Sequence, residues 1–213
     1  MDSHVQLPPF LCLPTELRYD IYDHLSCDEP ISYLFPHPSP ITSIDCRGPP
    51  IQLLVTCRAI YEEIRLYYFG RATFRLFAYG SKGTRREDMA PSTFTVIRLA
   101  KKIELMMVWN ITSRRAQTSI KTWPWSMNGW LEEQVDLLLD EGRNLQEVLV
   151  SVRDVSEGVK WETKVGLLWP LEKLKGRVRF TVGEITAADD EEQALNCDLA
   201  RFVRELNSGY TAG

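Results

Sequence analysis

The chain has 213 residues, of which 44% are hydrophobic and 25% are charged, proportions that are typical of a folded globular protein. This length suits one domain, or one domain with a small appendage. The 25 basic and 29 acidic residues give a formal net charge of −4. That balance argues against a dedicated nucleic-acid-binding protein, because such proteins carry a basic face. No apolar run approaches the roughly 20 residues that a membrane-spanning helix needs.

The compartment is predicted from the N-terminus and the cysteines. Residues 1–13 have no basic segment ahead of their apolar stretch, so they do not resemble a secretory signal. The chain has five cysteines, scattered along its length. An odd, scattered set is typical of reduced thiols inside the cell. The sequence therefore predicts an intracellular protein of the cytoplasm or nucleus.

The first predicted helix follows Pro14, a residue that suits a first helical turn because its missing N–H would be unpaired there. Four apolar residues then recur at every fourth position, which places them on one helix face. We call this set the N-terminal stripe; it consists of Leu13, Leu17, Ile21 and Leu25. The stripe either packs on the next helix or remains available to a partner protein.

Residues 26–50 contain six prolines. Each proline removes a backbone donor and disfavours helix in the preceding residue, so this segment is predicted to be a long loop. A second helix is predicted for residues 51–69. Gly70 is expected to end it in the left-handed conformation that glycine tolerates. A short strand is predicted for residues 72–78, followed by a connecting loop over residues 79–101.

The second half alternates between apolar strands and amphipathic helices. Strands are predicted for residues 102–108, 146–152 and 177–182. Helices are predicted for residues 130–141, 163–175 and 189–207. This alternation is typical of a parallel sheet with crossover helices. The predicted fold class is α/β (α+β overall): N-terminal helices followed by a small open, mainly parallel sheet. The layout is leucine-rich-repeat-like, although its spacing is longer and less regular than in such repeats.

No motif for catalysis or metal binding emerges from the sequence. The spacing of His24, Cys27, His37 and Cys46 lacks the paired clips of a zinc site. The chain has no Gly-x-Ser-x-Gly motif, and the Gly80–Thr84 segment lacks the order of a phosphate-binding loop. We therefore predict a protein that is not an enzyme, with no cofactor and no metal.

Tryptophans cluster near the middle of the chain. Trp123, Trp125 and Trp130 follow Arg114 and Arg115, and aromatic residues beside cations are used to hold single-stranded nucleic acid. The acidic composition argues against that use here. We predict instead a loop over residues 123–130 that covers the sheet or offers a protein-binding patch, because tryptophan is enriched in interface hot spots.

Two segments carry a resemblance to a known family. Residues 11–22 read Leu-Cys-Leu-Pro-Thr-Glu-Leu-Arg-Tyr-Asp-Ile-Tyr, which resembles the L-P-x-E-L start of an F-box. Residues 53–63, with the Cys57-Arg58 pair, are similar to the later F-box helix. Together with residues 68–74 they resemble F-box-like proteins of filamentous fungi, over residues 10–77. Here residues 26–50 stand in place of the short link and middle helix of a standard F-box.

The resemblance implies a function and a domain layout. Residues 1–78 would form an F-box-like helical region, and residues 102–213 an α/β partner-recognition region that either packs with the first or stands apart. The chain would be a non-enzymatic substrate receptor of a cullin–RING ubiquitin ligase that docks a Skp1-type adaptor and holds an unknown client. The expected contacts with protein partners are Leu13, Pro14, Leu17, Ile21, Leu25, Trp123 and Trp125.

Two other interpretations remain open from the sequence. The chain would be a single-domain scaffold or self-associating protein without a ligase link if the N-terminal stripe is buried under residues 53–68. It would be an enzyme if convergent polar groups lined a deep pocket. The exposure of the stripe is the observation that separates the first of these from adaptor docking.

Overall fold

The structure is a computed structural model that describes residues 9–26, 29–32, 39–77, 86–109, 123–156, 160–188 and 191–210. The side chains of residues 123–128 and 163 are outside that description. The described helices are α1 (Thr15–Leu25), α2 (Ile51–Leu54), α3 (Arg58–Arg71), α4 (Pro91–Leu99), α5 (Trp123–Glu141), α6 (Trp161–Val165) and α7 (Glu192–Leu206). The strands are β1 (Ile31–Ser32), β2 (Ile41–Ile44), β3 (Thr73–Phe77), β4 (Lys102–Trp109), β5 (Glu147–Asp154) and β6 (Arg179–Thr186).

The six described strands form one open sheet in chain order, from β1 to β6. β3 to β6 pair in parallel, whereas β1 and β2 extend the sheet in antiparallel pairs. The predicted α/β class with a mainly parallel, open sheet is therefore confirmed. Because β3 pairs directly with β4, the sheet runs without a break from the N-terminal region into the C-terminal one.

One face of the sheet carries the main apolar core. In β4 the alternate residues Ile103, Leu105 and Met107 are almost fully buried, as the period of two in a strand requires. They belong to the same cluster as buried residues of α4, α5, α7 and the 3₁₀ helix Gly166–Leu174. Those helices therefore cover one face of the sheet, and they bury a continuous apolar core against it.

The opposite face of the sheet carries a row of polar side chains. Ser151 Oγ donates to Glu104 Oε1 at 2.5 Å, and Arg75 Nε donates to Glu104 Oε2 at 2.8 Å. The backbone N–H of Glu184 donates to Ser151 Oγ at 2.9 Å. Hydrogen bonds thus link four neighbouring strands, and this satisfies the nearly buried carboxylate of Glu104.

Several predicted boundaries were wrong, each for a local physical reason. The proline-rich segment 26–50 contains β1 and β2, because its prolines lie between or beside these short strands rather than within them. The predicted helix 51–69 is broken at residues 55–57 into α2 and α3. Gly70 lies inside α3 and not in a left-handed turn, and the helix ends at Arg71.

Two further segments differ from their predicted structure. The connecting loop 79–101 contains the 3₁₀ helix Arg86–Asp88 and the nine-residue α4, while residues 79–85 lie outside the described residues. The shorter helical segment near Pro170 is α6 followed by the 3₁₀ helix Gly166–Leu174. The predicted end at Gly176 is confirmed, with a φ of 76° in the left-handed region.

Gln134 of α5 is a polar residue within the helix-covered core. Its side chain is fully buried, and neither amide atom has a hydrogen-bond partner within the described part of the chain. A buried amide without partners costs about 1–3 kcal/mol. We expect Gln134→Met, which has a similar shape, to raise the free energy of unfolding by about 1 kcal/mol in urea titrations. The matched variant Gln134→Glu should lower it, and a loss of stability in Gln134→Met would contradict this expectation.

Candidate functional site

The candidate site is the outward surface of α1, and its orientation is set by which residues α1 buries. The helix starts after Pro14, whose carbonyl accepts the backbone N–H of Arg18 at 3.2 Å. Within α1 the buried side chains are Arg18 and Tyr22, one turn apart. Neither belongs to the N-terminal stripe. The helix therefore packs on the rest of the protein through the side that carries Arg18 and Tyr22.

A cluster of three polar side chains holds α1 against α3. Glu63 Oε1 accepts the N–H of Arg18 Nε at 2.8 Å and the hydroxyl of Tyr22 at 2.8 Å. Glu63 Oε2 accepts Arg18 Nη2 at 2.5 Å. The Arg18 and Glu63 side chains are only 11% and 18% exposed. This bidentate, charge-assisted pair is directional, and it links α1 to α3. We call Arg18, Tyr22 and Glu63 the clamp.

A second contact joins the C-terminal end of α1 to that of α3. Asp23 Oδ1 accepts both the Tyr67 hydroxyl and Arg71 Nη1. The rings of Tyr19 and Tyr67 lie 4.7 Å apart between centroids. Side-chain contacts thus join α1 to α3 both at Glu63 and at the C-terminal turn of α3.

The apolar support beneath α1 is small and separate from the main core. Its buried members are Tyr22, Ile60 and Ile64. Further along α3, Tyr68 and Phe69 pack against the main core instead. The helix α3 thus bridges the two apolar clusters, and it attaches α1 to the sheet.

The residues of the N-terminal stripe differ in their exposure. Leu17 is 50% exposed and Leu25 is 41% exposed. Leu13 and Ile21 are half-buried, and Pro14 is exposed. Leu17, Ile21 and Leu25 lie in α1, whereas Leu13 precedes it. Sequence periodicity did not reveal that Arg18 and Tyr22 occupy the buried face. Their partner Glu63 lies 45 residues from Arg18, a distance that no local pattern reports.

Most of the exposed large apolar residues come from the N-terminal part of the sequence. Six of the eight large apolar residues that are exposed in the described ranges lie between positions 17 and 66; they are Leu17, Leu25, Ile51, Val55, Tyr61 and Leu66. The other two are Val155 and Trp169. Single exposed apolar residues need no explanation, whereas a contiguous exposed patch marks an interaction surface.

The two predicted tryptophan contacts have a different local structure from the one expected. Trp123 and Trp125 lie in the first turn of α5, so the predicted loop over residues 123–130 is wrong. Their side chains, like residues Arg114 and Arg115, lie outside the described residues. Trp130 is 6% exposed and belongs to the main core.

The ionisable groups of the clamp are shifted by their neighbours. The hydrogen bond from Arg18 holds the pKa of Glu63 below its ordinary value of 4.5. Burial, reinforced by the Glu63 carboxylate, raises the pKa of the Tyr22 hydroxyl above its usual range. A lowered carboxyl pKa means that the clamp contributes stability above the ordinary pKa, and loses it as pH falls through the lowered value. The clamp is therefore fully formed at neutral pH.

A second cluster of charged residues lies at the carboxyl end of β5, the edge where parallel sheets often bind ligands. Lys164 Nζ lies 2.6 Å from Asp154 Oδ2, with the two side chains 6% and 1% exposed. Asp154 Oδ1 accepts the backbone N–H of Ser156 at 2.9 Å, and Glu191 lies 3.7 Å from Lys164. The pair joins β5 to α6. Its two charged groups contact each other, and both side chains are almost fully buried.

Two of the four residues considered as metal ligands lie within the described part of the chain. His24 is exposed on α1, Cys46 is buried, and Cys27 and His37 lie outside the described residues. Within the described ranges, no three His, Cys, Asp or Glu side chains group closely enough to hold a metal ion. In those same ranges, no helix has both the length and the apolar character that crossing a bilayer requires.

Comparison with models of protein families, with curated proteins and with solved structures finds no significant match.

Proposed function

We propose that this chain is a non-enzymatic protein-interaction module whose N-terminal stripe docks a Skp1-type adaptor of a cullin–RING ubiquitin ligase. The observation that carries the proposal is the exposure of two stripe residues: Leu17 and Leu25 are half-exposed while Arg18 and Tyr22 fill the buried side of α1. An apolar helix face with its anchors turned outward is the arrangement by which a helix binds in a partner's groove.

The chemistry of the site supports positioning rather than catalysis. The chain would hold the adaptor at α1 and a client elsewhere, while ubiquitin transfer takes place on other subunits. The F-box resemblance of residues 10–77 supplies the identity of the adaptor. The leucine-rich-repeat-like interpretation of the α/β region supplies the client surface, since one-sided strand–helix arrays offer extended binding surfaces.

The connection between the two regions also favours this function. The N-terminal helices are attached through Tyr68 and Phe69 to the core that underlies the sheet, and β3 pairs with β4. A receptor that brings a client to a ligase gains from such attachment, because it restricts the client's position relative to the adaptor. The single-domain scaffold without a ligase link, by contrast, requires the stripe to be buried under residues 53–68.

Adaptor binding to purified protein tests the proposal. We expect the wild-type chain to bind a Skp1-type adaptor in titration calorimetry, and Leu17→Asp to weaken binding at least tenfold, because an interface anchor is lost and a charge is desolvated. Leu17 is 50% exposed, so this variant should keep its unfolding midpoint. Val155→Asp is the matched control: Val155 is equally exposed, and its replacement should leave the affinity unchanged.

Two outcomes would overturn adaptor docking. One is a wild-type chain that shows no binding at adaptor concentrations up to the millimolar range. The other is a wild-type chain that self-associates in light scattering, with Leu17→Asp monomeric and neither protein binding the adaptor. The second result would assign the stripe to contacts between copies of this chain.

A further inference from the structure

We propose that Asn207 blocks the open edge of the sheet: its side chain occupies the position of a neighbouring strand and keeps β6 from pairing with the β6 strand of a second copy of this chain. In the described ranges β6 is the last strand of the sheet, and it pairs with β5 alone. The inference does not rest on the proposed function, because it involves neither α1 nor an adaptor.

The outer side of β6 carries backbone groups that β5 does not bind. The Arg179 N–H donates to the Gln146 carbonyl at 2.8 Å, so the backbone of Arg179 is turned toward β5. Peptide groups alternate in direction along a strand, so the backbone groups of Phe180 and Val182 are turned outward. The register between β5 and β6 shifts after Val182. Phe180 and Val182 are therefore the outward residues in the regular part of this edge.

Asn207 binds the edge at Phe180. Its Oδ1 accepts the Phe180 N–H at 2.8 Å, and its Nδ2 donates to the Phe180 carbonyl at 2.8 Å. In an antiparallel pair of strands, two opposite residues exchange the same two hydrogen bonds. Asn207 directly follows α7, whose last residue Leu206 is fully buried in the main core. The packing of α7 thus places an amide where the backbone of another strand would bind.

The same positions decide whether two copies can pair. Two β6 strands related by a two-fold axis run antiparallel, and they can bond only through their outward residues. Phe180 of one copy then lies opposite Val182 of the other, and the symmetry repeats this pair. Because each of the two pairs uses a Phe180, Asn207 blocks both of them. One side chain per copy is therefore enough to close the regular part of the edge.

β6 has the composition of a strand that pairs with itself. Its sequence, Arg-Phe-Thr-Val-Gly-Glu-Ile-Thr, is rich in β-branched and aromatic residues and has no net charge, which is typical of segments prone to pairing between molecules. Lysine and proline, which often protect an edge, are absent from it. The antiparallel pairing would place Arg179 of one copy opposite Gly183 of the other, beside the oppositely charged Glu184. These features favour a second copy as the strand that Asn207 excludes.

The test removes the Asn207 amide and measures the mass of the protein in solution. We expect wild type to stay monomeric in sedimentation equilibrium, and Asn207→Ala to approach twice the monomer mass as its concentration rises. The Val182 amide should exchange with solvent about tenfold more slowly in the Asn207→Ala dimer than in wild type, because a backbone hydrogen bond would then protect it. Association that leaves this exchange unchanged, or no association at all, would overturn the inference.

Two further variants connect the association to the edge. Val182→Pro in the Asn207→Ala background should restore the monomer, because proline has no N–H to pair and is tolerated where an edge N–H faces solvent. Asn144→Ala is the matched control: Asn144 Nδ2 also donates to a backbone carbonyl, that of Arg98 in α4, at 2.7 Å. This variant should stay monomeric. A dimer in Asn144→Ala, or one that survives Val182→Pro, would contradict pairing through β6.

A second substitution decides the question if Asn207→Ala does not fold. In Asn207→Asp the carboxylate keeps an acceptor for the Phe180 N–H but has no donor for the Phe180 carbonyl. We expect this variant to dimerise as well, since half of the contact that imitates a strand is lost. A folded, monomeric Asn207→Asp would then overturn the inference.

Adding Leu17→Asp separates this association from contacts through the N-terminal stripe. The dimer should persist in Leu17→Asp/Asn207→Ala, because Leu17 lies in α1 and takes no part in the β6 edge. A dimer that Leu17→Asp abolishes would belong to the stripe, and it would overturn the inference. Absence of adaptor binding by wild type would instead overturn the proposed function alone.

Discussion

Replacing Lys164 with methionine is expected to lower the free energy of unfolding by about 3–5 kcal/mol, because the change leaves a buried carboxylate without its counter-charge. Asp154 is the carboxylate concerned, and its side chain is 1% exposed, 2.6 Å from Lys164 Nζ. Glu191 offers no substitute, since it is another acid. Urea denaturation of wild type and Lys164→Met, monitored by circular dichroism, measures the difference.

The partner variant shows whether the loss arises from the unpaired charge. Asp154→Asn in the Lys164→Met background removes that charge, and retains an oxygen for the Ser156 N–H that lies 2.9 Å from Asp154 Oδ1. We expect the double variant to regain most of the lost stability. A loss below about 1 kcal/mol in Lys164→Met alone would mean that water reaches Asp154. The edge of the sheet would then be more open than the ion pair indicates.

Gly183→Ala is expected to destabilise the protein by about 2 kcal/mol through overpacking at the polar row of the sheet. A Cβ atom at position 183 would overlap Ser151 Oγ. That hydroxyl donates to Glu104 Oε1 and accepts the N–H of Glu184, so it cannot turn away without breaking both hydrogen bonds. Glycine is therefore required by the close approach of β5 and β6, and not by its backbone angles.

A double-mutant cycle isolates that clash. In a Ser151→Ala background the overlapping oxygen is absent, and the Ser151 Cβ would lie 3.4 Å from the new methyl group, which is a tolerable contact. We expect the cost of Gly183→Ala to vanish there, which gives a coupling energy of about 2 kcal/mol. Equal costs in the two backgrounds would show that the clash is relieved by backbone movement instead.

The parallel strands were predictable because their signal is local. Residues 102–108 and 146–152 are apolar runs between helical patterns, and buried parallel strands have that composition. The last helix was equally predictable, since Leu195, Leu199, Phe202, Val203 and Leu206 repeat at helical spacing and all are buried. In such elements the apolar residues recur at the period of the secondary structure, so they lie together on the face that packs.

Other features depend on partners distant in sequence, so local patterns missed them. β2 exists because it pairs with β3, whose residue Phe74 lies 30 positions beyond its partner Ile44. Trp123 and Trp125 were assigned to a loop, although α5 begins at Trp123 and includes Pro124 in its first turn. Proline is well tolerated at that position, and the tryptophans together with Pro124 concealed the start of the helix.

The candidate site was likewise predictable only in part from local sequence patterns. The stripe itself was visible as Leu13, Leu17, Ile21 and Leu25, but its exposure was not. Arg18 would ordinarily be placed on the solvent side of such a helix. It is buried because a carboxylate, a hydroxyl and two carbonyls converge on it. Only the three-dimensional arrangement of α1 on α3 reveals that Leu17 and Leu25 are left exposed while Arg18 is buried.

The most direct measurement is the adaptor's footprint on the chain, mapped by methyl NMR. We expect saturating Skp1-type adaptor to shift or broaden the methyl signals of Leu17, Ile21 and Leu25, while those of Val155 stay unchanged. Adaptor that binds but leaves all three stripe signals in place, or that perturbs the methyls of Val155 instead, would contradict docking through the N-terminal stripe.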